Sequence, residues 1–192
     1  MSTPEVILKL NEEFSDLLLE DLLKGLPASR VTDHRIDLKP DSKTPAMRSY
    51  LMSPAEEVTL MSTLDDLLDK GFIEPANLSH ASGVLFVSKA NGKLRLVVNF
   101  KPLNQNTIVE QYHLQRIDEL LDQAGGSQFC SKLDLHSGFH QIRLNPESVH
   151  KTAFQTKFGS YQYLVMPFGL CNAPATFQRI TENLQECTFM TC

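Results

Sequence analysis

Asp134 stands in the middle of the apolar stretch Ser131-Lys-Leu-Asp-Leu-His-Ser-Gly-Phe-His-Gln-Ile142, just before a Ser-Gly step and an aromatic. A carboxylate carried on an apolar strand is costly unless it is paired or ligates a metal. At the end of a strand, beside a small flexible turn, it suits a divalent cation held over a phosphate. The same residue types also suit an aspartate that accepts hydrogen bonds from its own turn. These residues taken by themselves leave both readings open.

Other segments bear on the choice. Val84-Leu-Phe-Val-Ser-Lys-Ala-Asn-Gly-Lys-Leu-Arg-Leu-Val-Val-Asn99 is two apolar runs around Asn91-Gly92, the strongest short-range hairpin signal. Phe100-Lys-Pro-Leu-Asn104 follows it directly. Val165-Met-Pro-Phe-Gly-Leu-Cys-Asn-Ala-Pro-Ala-Thr-Phe-Gln178 comes after the Ser-Gly turn. In this order and spacing, the motifs resemble the reverse transcriptase of gypsy-class long-terminal-repeat retrotransposons, from about Asp33 to about Gln185.

The resemblance implies RNA-directed DNA synthesis, in which a primer 3′-hydroxyl attacks the α-phosphate of a deoxynucleotide and pyrophosphate leaves. Two Mg²⁺ (or Mn²⁺) ions roughly 3.5–4 Å apart serve such a displacement, one at the attacking oxygen and one at the leaving phosphates. Mg²⁺ takes oxygen ligands, and the family supplies three palm carboxylates. Asp134 matches the first, and the carbonyl of Leu135 matches a backbone ligand. The other two belong to a Tyr-x-Asp-Asp hairpin that does not occur in this sequence; Asp65-Asp66 lies on an expected exposed helix face instead. Residues 1–192 are therefore expected not to polymerise.

By the same resemblance Lys89 and Arg95 close over the nucleotide triphosphate from the hairpin. Arg suits the second position because its planar fork can donate to two phosphate oxygens and stack on a base. Phe139 matches the aromatic under the sugar that excludes a 2′-hydroxyl, although an ordinary core aromatic is the alternative from its type. Phe168-Gly169 matches the element lining the nucleotide from the palm, where glycine permits close backbone approach. Phe100, Lys101 and Asn104 match template-proximal residues. The implied partners are a primed RNA or DNA template and deoxynucleotides.

The sequence departs from the family at Asn99, where Asp is usual, at Lys101, where Arg is usual, and at Gly83, where proline is usual. The first two departures weaken an ion pair at the base of the fingers, though hydrogen bonding remains possible. The third loosens the approach to the hairpin. The tail Glu186–Cys192 carries no likeness and reads as a frameshifted or mis-spliced end.

Net charge is −5, the wrong sign for a freestanding nucleic-acid binder. The charge is uneven: residues 1–74 hold 15 acidic and 8 basic residues, and no acid occurs between Glu74 and Glu110. Lys89, Lys93, Arg95 and Lys101 fall in that gap. A solvated hairpin face would look the same. No signal peptide, membrane span or lipidation motif is evident, which predicts a cytoplasmic or nuclear protein. The four cysteines lack zinc spacing and read as reduced thiols. His136 and His140 have i, i+4 spacing without the Glu of a His-Glu-x-x-His site. Walker loops, dinucleotide fingerprints and Gly-x-Ser-x-Gly elbows are absent.

The elements that must position these residues follow from periodicity and caps. Val6, Leu10, Phe14, Leu17, Leu18 and Leu22 form an amphipathic stripe ending near Gly25 and Pro27. Ser53-Pro-Ala-Glu56 predicts a capping box, with an apolar face of Val58, Met61, Leu64, Leu67 and Leu68 and a stop at Gly71. The hairpin comes next, then a helix over 112–121 and a strand over 131–135. Asn145-Pro146 starts a short helix, a second hairpin turns across Gly159-Ser160, and Asn172 and Pro174 launch a helix through Phe177, Ile180 and Leu184.

This is an α+β layout, with antiparallel hairpins packed against helices. It corresponds to the fingers and partial palm of a right-hand polymerase, truncated before the Tyr-x-Asp-Asp hairpin. The expected division is an N-terminal helix and linker at 1–32, a fingers-like region at 33–110, a partial palm at 111–185 and a tail at 186–192. The expected function is that of a reverse transcriptase fragment, inactive as this chain. The alternative is a non-catalytic nucleic-acid or protein-binding remnant of a degenerate element.

Overall fold

The computed structural model describes residues 24–42, 50–78, 80–88, 92, 94–112, 118, 122 and 135–189, with side chains as far as Glu182. The expected stripe over residues 6–22, most of the helix over 112–121, the strand over 131–134 with Asp134, and Lys89 lie outside the described residues.

Helix α1 spans Pro54–Asp69. Its capping box forms as the sequence predicts: Ser53 Oγ accepts from the Glu56 amide and Glu56 Oε2 accepts from the Ser53 amide at 2.7 Å. The C-terminus is equally local. Gly71, at φ +70°, donates to the Leu68 carbonyl, and Phe72 donates to Leu67 at 2.9 Å, the two bonds of a Schellman cap. The buried face differs from expectation. It is Leu60, Leu64 and Leu67, while Val58 and Met61 are 72% and 55% exposed. Apolar residues surround much of this helix, so periodicity admits two stripes and the packing selects one.

Among the described residues, five strands form one sheet in the order β1-β5-β4-β2-β3. They are β1 Ile73–Pro75, β2 Ser82–Ser88, β3 Leu94–Val98, β4 Phe154–Thr156 and β5 Gly159–Tyr163. β2 and β3 make the expected antiparallel hairpin, with Val87 opposite Arg95 and Ser88 opposite Leu94. That register leaves an odd number of residues between the paired ends. Residues 89–91 and 93 lie outside the described residues, and with them the turn expected at Asn91-Gly92; Gly92 itself has φ +75°, in the left-handed region that glycine enters freely.

The second hairpin turns at Lys157-Phe158, because Thr156 pairs with Gly159. Thr156 Oγ1 accepts from the Phe158 amide and donates to the Gly159 carbonyl, so a side chain closes the turn ahead of the glycine. β4 also pairs in parallel with β2, which joins strands from 33–110 and from 111–185 in one sheet.

The core lies between this sheet, α1 and helix α4 (Ala173–Phe189), around Leu60, Val84, Phe100, Phe154 and Met166. Helix α2 (Lys101–Asn106) buries Leu103. Helix α3 (Pro146–Val149) starts as expected, with Asn145 accepting from the Glu147 amide. Asn172 does not cap α4 with its side chain. Its amide donates to the Ile108 carbonyl and accepts from the Glu110 amide, tying the strand-like segment after α2 to the start of α4. A bidentate Arg179–Glu110 pair reinforces that tie at 3.0 and 3.1 Å. Among the described residues no helix is long and apolar enough to cross a membrane.

Candidate nucleotide-binding site

Arg95 is an exposed residue on β3, and its guanidinium carbon lies 4.5 Å from the centre of the Phe168 ring. The Phe168 ring is in turn 4.9 Å from Phe139, and Phe139 is 5.3 Å from Phe177 of α4. Three residues expected at the nucleotide site from distant parts of the sequence thus form one continuous stack. Arg95 makes no ion pair among the described residues. An exposed cation lying on an aromatic face, without such a partner, keeps its donors available for an anion.

The backbone aims each member of the stack. β3 alternation sets Arg95 on the face shared with its partner Val87. Ser137 holds a left-handed conformation, φ 47° and ψ 43°, which turns the chain into the single 3₁₀ turn Gly138–Gln141 that carries Phe139. A side chain there is uncommon and sits with a backbone constrained on both sides: Ser137 accepts from the His140 amide, and His136 accepts from Gln141 Nε2. Gly138 cannot be larger without movement, since a Cβ would meet Phe177 Cε2 at 2.8 Å. Phe168 leads into Gly169 at φ +97°, and Phe168 remains 41% exposed.

His140 is a participant that sequence reasoning missed. Its ring stands edge-on to Phe168 at 5.4 Å and to Phe72 at 5.6 Å. Burial, with Lys70 and Arg95 nearby, pushes its imidazole down to about 4, so it is a neutral packing group at neutral pH. Its spacing from His136 suggested only metal binding, and among the described residues no group of three or more His, Cys, Asp or Glu could hold a metal. Asp134 lies outside the described residues; Leu135 beside it is exposed.

The expected template-proximal residues also converge. Phe100, Lys101 and Asn104 line an open cleft of about 470 Å³ together with Val98, Asn99 and Gly169. Asn99 accepts from the Lys101 amide at 3.2 Å and donates to Tyr50 Oη at 3.0 Å. The amide thus supports the turn into α2 without an ion pair. Gly83, at the foot of β2, is buried and accepts from the Asn99 amide at 2.8 Å.

Residues 87–188 match the family Reverse transcriptase (RNA-dependent DNA polymerase). The chain belongs to that family. It is 40% identical over 142 residues to the retrovirus-related Pol polyprotein from transposon 297 of Drosophila melanogaster, covering 71% of this chain and 13% of the relative. It is 34% identical over 168 residues to the transposon Tf2-3 polyprotein of Schizosaccharomyces pombe, covering 87% of this chain and 13% of that one.

In fold, this reverse transcriptase chain resembles the native prototype foamy virus protease–reverse transcriptase at a TM-score of 0.79 and 23% identity, over 95% of this chain and 24% of the other. The foamy viral enzyme in complex with an RNA/DNA hybrid gives 0.77 at 18% identity, over 97% and 25%. The chain is a reverse transcriptase domain of the retrotransposon-polyprotein type and spans about one-eighth of the curated relatives it matches. Divalent-metal dependence is general to the family.

Proposed function

We propose that this chain forms the nucleotide- and template-facing part of an RNA-directed DNA polymerase from a gypsy-class retrotransposon. Arg95, with Lys89 from the same hairpin, holds the triphosphate of an incoming deoxynucleotide. Phe139 sits against its sugar, and Phe168-Gly169 line it from the palm. Phe100, Lys101 and Asn104 border the template strand in the neighbouring cleft. Asp134 and the Leu135 carbonyl would ligate Mg²⁺ or Mn²⁺, which supplies charge neutralisation at the transferring phosphate. In this division residues 33–110 are the fingers and 111–185 the first half of the palm.

The observation that carries this reading is the stack of Arg95 on Phe168 beside Phe139. A stacked guanidinium with no ion pair among the described residues, at the mouth of an aromatic wall, suits a triphosphate and a base together. The test is a titration of the full chain with dTTP and Mg²⁺ followed by ¹⁵N–¹H NMR, with a short template oligonucleotide present. Shifts should centre on Arg95, Phe168 and Gly169, and Arg95→Ala should weaken them more than Lys93→Ala. Saturating ligand that leaves these three signals in place would refute the assignment.

A further inference from the structure

Asn104, on α2, reaches the turn after Phe168 with both ends of its side-chain amide. Nδ2 donates to the Gly169 carbonyl at 2.8 Å, and Oδ1 accepts from the Cys171 amide at 3.0 Å. One partner is a carbonyl and the other an N–H, so the amide has only one orientation that satisfies both. Aspartate could not replace it, because a carboxylate oxygen facing the Gly169 carbonyl has no proton to give. The clasp joins two parts of the site. α2 continues directly from β3, which carries Arg95, whereas the 168–171 turn carries Phe168.

We infer that Asn104 is a positioning residue for nucleotide binding: it holds the Phe168–Cys171 turn so that the Phe168 ring lies under the Arg95 guanidinium. The inference rests on the nucleotide-binding reading above and assigns Asn104 a role distinct from contact with a template base. Three observations support it. Phe168 is 41% exposed, so its packing against Phe139 and His140 leaves part of the fixing of its ring to the turn that carries it. Gly169, at φ +97°, gives the turn a joint with wide backbone freedom, and Asn104 bonds it at Gly169 itself and at Cys171. The next residue, Asn172, makes the same kind of two-ended bond in the opposite direction, to Ile108 and Glu110. The turn is thus tied to the α2 region from both sides, and of these two ties the one from Asn104 lies next to Phe168.

The test uses the full chain without ligand. The Phe168 ring should shift the Arg95 side-chain Nε–H and δ-methylene protons upfield by its ring current, and Phe168→Leu gives the unstacked reference. In Asn104→Ala these signals should move most of the way to that reference, and the isosteric Asn104→Asp should do the same while it preserves the Cys171 bond. Mg²⁺–dTTP binding should weaken about tenfold in both, the effect of one or two lost hydrogen bonds.

A merely structural asparagine would lower the melting temperature and leave the Arg95 signals unmoved; that result in either folded variant would overturn the inference. If the unmodified chain binds no nucleotide, the functional reading fails, but the ligand-free Arg95 signals still decide the role of Asn104.

Discussion

The Arg95 guanidinium lies on the Phe168 ring at 4.5 Å, joining the edge strand of a hairpin to a turn that precedes the last helix. Neither residue is buried, so the contact is held by the elements behind it rather than by a surrounding core. A cation–π contact at such a site contributes about 0.5–1 kcal/mol, and more when a ligand excludes water from it.

Phe168→Leu should therefore leave the fold intact and weaken Mg²⁺–dTTP binding a few-fold. Arg95→Lys should do more than a conservative exchange suggests, because an ammonium neither stacks as a plane nor donates in a fork. Titrations followed at the Gly169 amide would rank the variants; an Arg95→Lys protein that binds as tightly as the unmodified chain would show that charge alone matters there.

The two glycines flanking the stack should fail for different reasons. At Gly169 a Cβ would meet the Phe100 ring at 3.7 Å, an ordinary contact, but φ +97° is strained for any L side chain. Gly169→Ala should cost about 1–2 kcal/mol through backbone strain. At Gly138 the backbone is not left-handed, and the obstacle is Phe177 Cε2 at 2.8 Å. Gly138→Ala should cost about 1–3 kcal/mol by overpacking and push Phe177 off Phe139. Urea unfolding reads both costs. Gly138→Ala combined with Phe177→Leu should recover stability, whereas Gly169→Ala has no such partner.

Local signals in the sequence were faithful where a few neighbouring residues decide the outcome. Ser53 with Glu56, Gly71 and Asn145-Pro146 form the caps their types predict, because each satisfies orphan backbone groups within one turn. Prediction weakened where a side chain had a choice. Asn172 has cap chemistry yet bonds Ile108 and Glu110, and Gly159 has turn chemistry yet follows a turn closed by Thr156. The meeting of Arg95, Phe139 and Phe168 was legible only through the order of motifs. No periodicity brings a β3 residue onto a turn so distant in the chain, and the burial that neutralises His140 belongs to the tertiary packing.

Acid should destabilise the fold over a defined window. His34 is 1% exposed, its Nδ1 is 2.8 Å from Thr176 Oγ1, and burial lowers it from 6.5 to about 4. The unfolded chain binds this proton more readily than the folded one, so stability is complete above about pH 6.5 and falls as pH drops towards 4. His34 accounts for about 3 kcal/mol of that loss, and His140, shifted in the same direction, adds to it. Urea midpoints near neutral pH and near about pH 5 would measure the slope, which His34→Gln should reduce. A slope unchanged by that variant would mean that other groups carry the acid sensitivity.

Residues 1–192 assayed on their own should incorporate no deoxynucleotide on a primed template with either Mg²⁺ or Mn²⁺. Two-metal transfer calls for several carboxylates around the reacting phosphate, and the sequence supplies Asp134 without a Tyr-x-Asp-Asp. Asp65 and Asp66 do not substitute. Both are exposed on α1, and Asp66 is paired with Lys70 at 3.0 Å. Losing one member of a catalytic set costs orders of magnitude, and losing most of it leaves little more to lose. Binding of single-stranded nucleic acid through Arg95, Lys101 and their neighbours should persist only weakly, because an acidic chain neutralises few phosphates, and with so few contacts it should fall only gently with salt. Primer extension decides the matter: synthesis above background that disappears in Asp134→Asn would mean that the remaining metal ligands come from a second molecule.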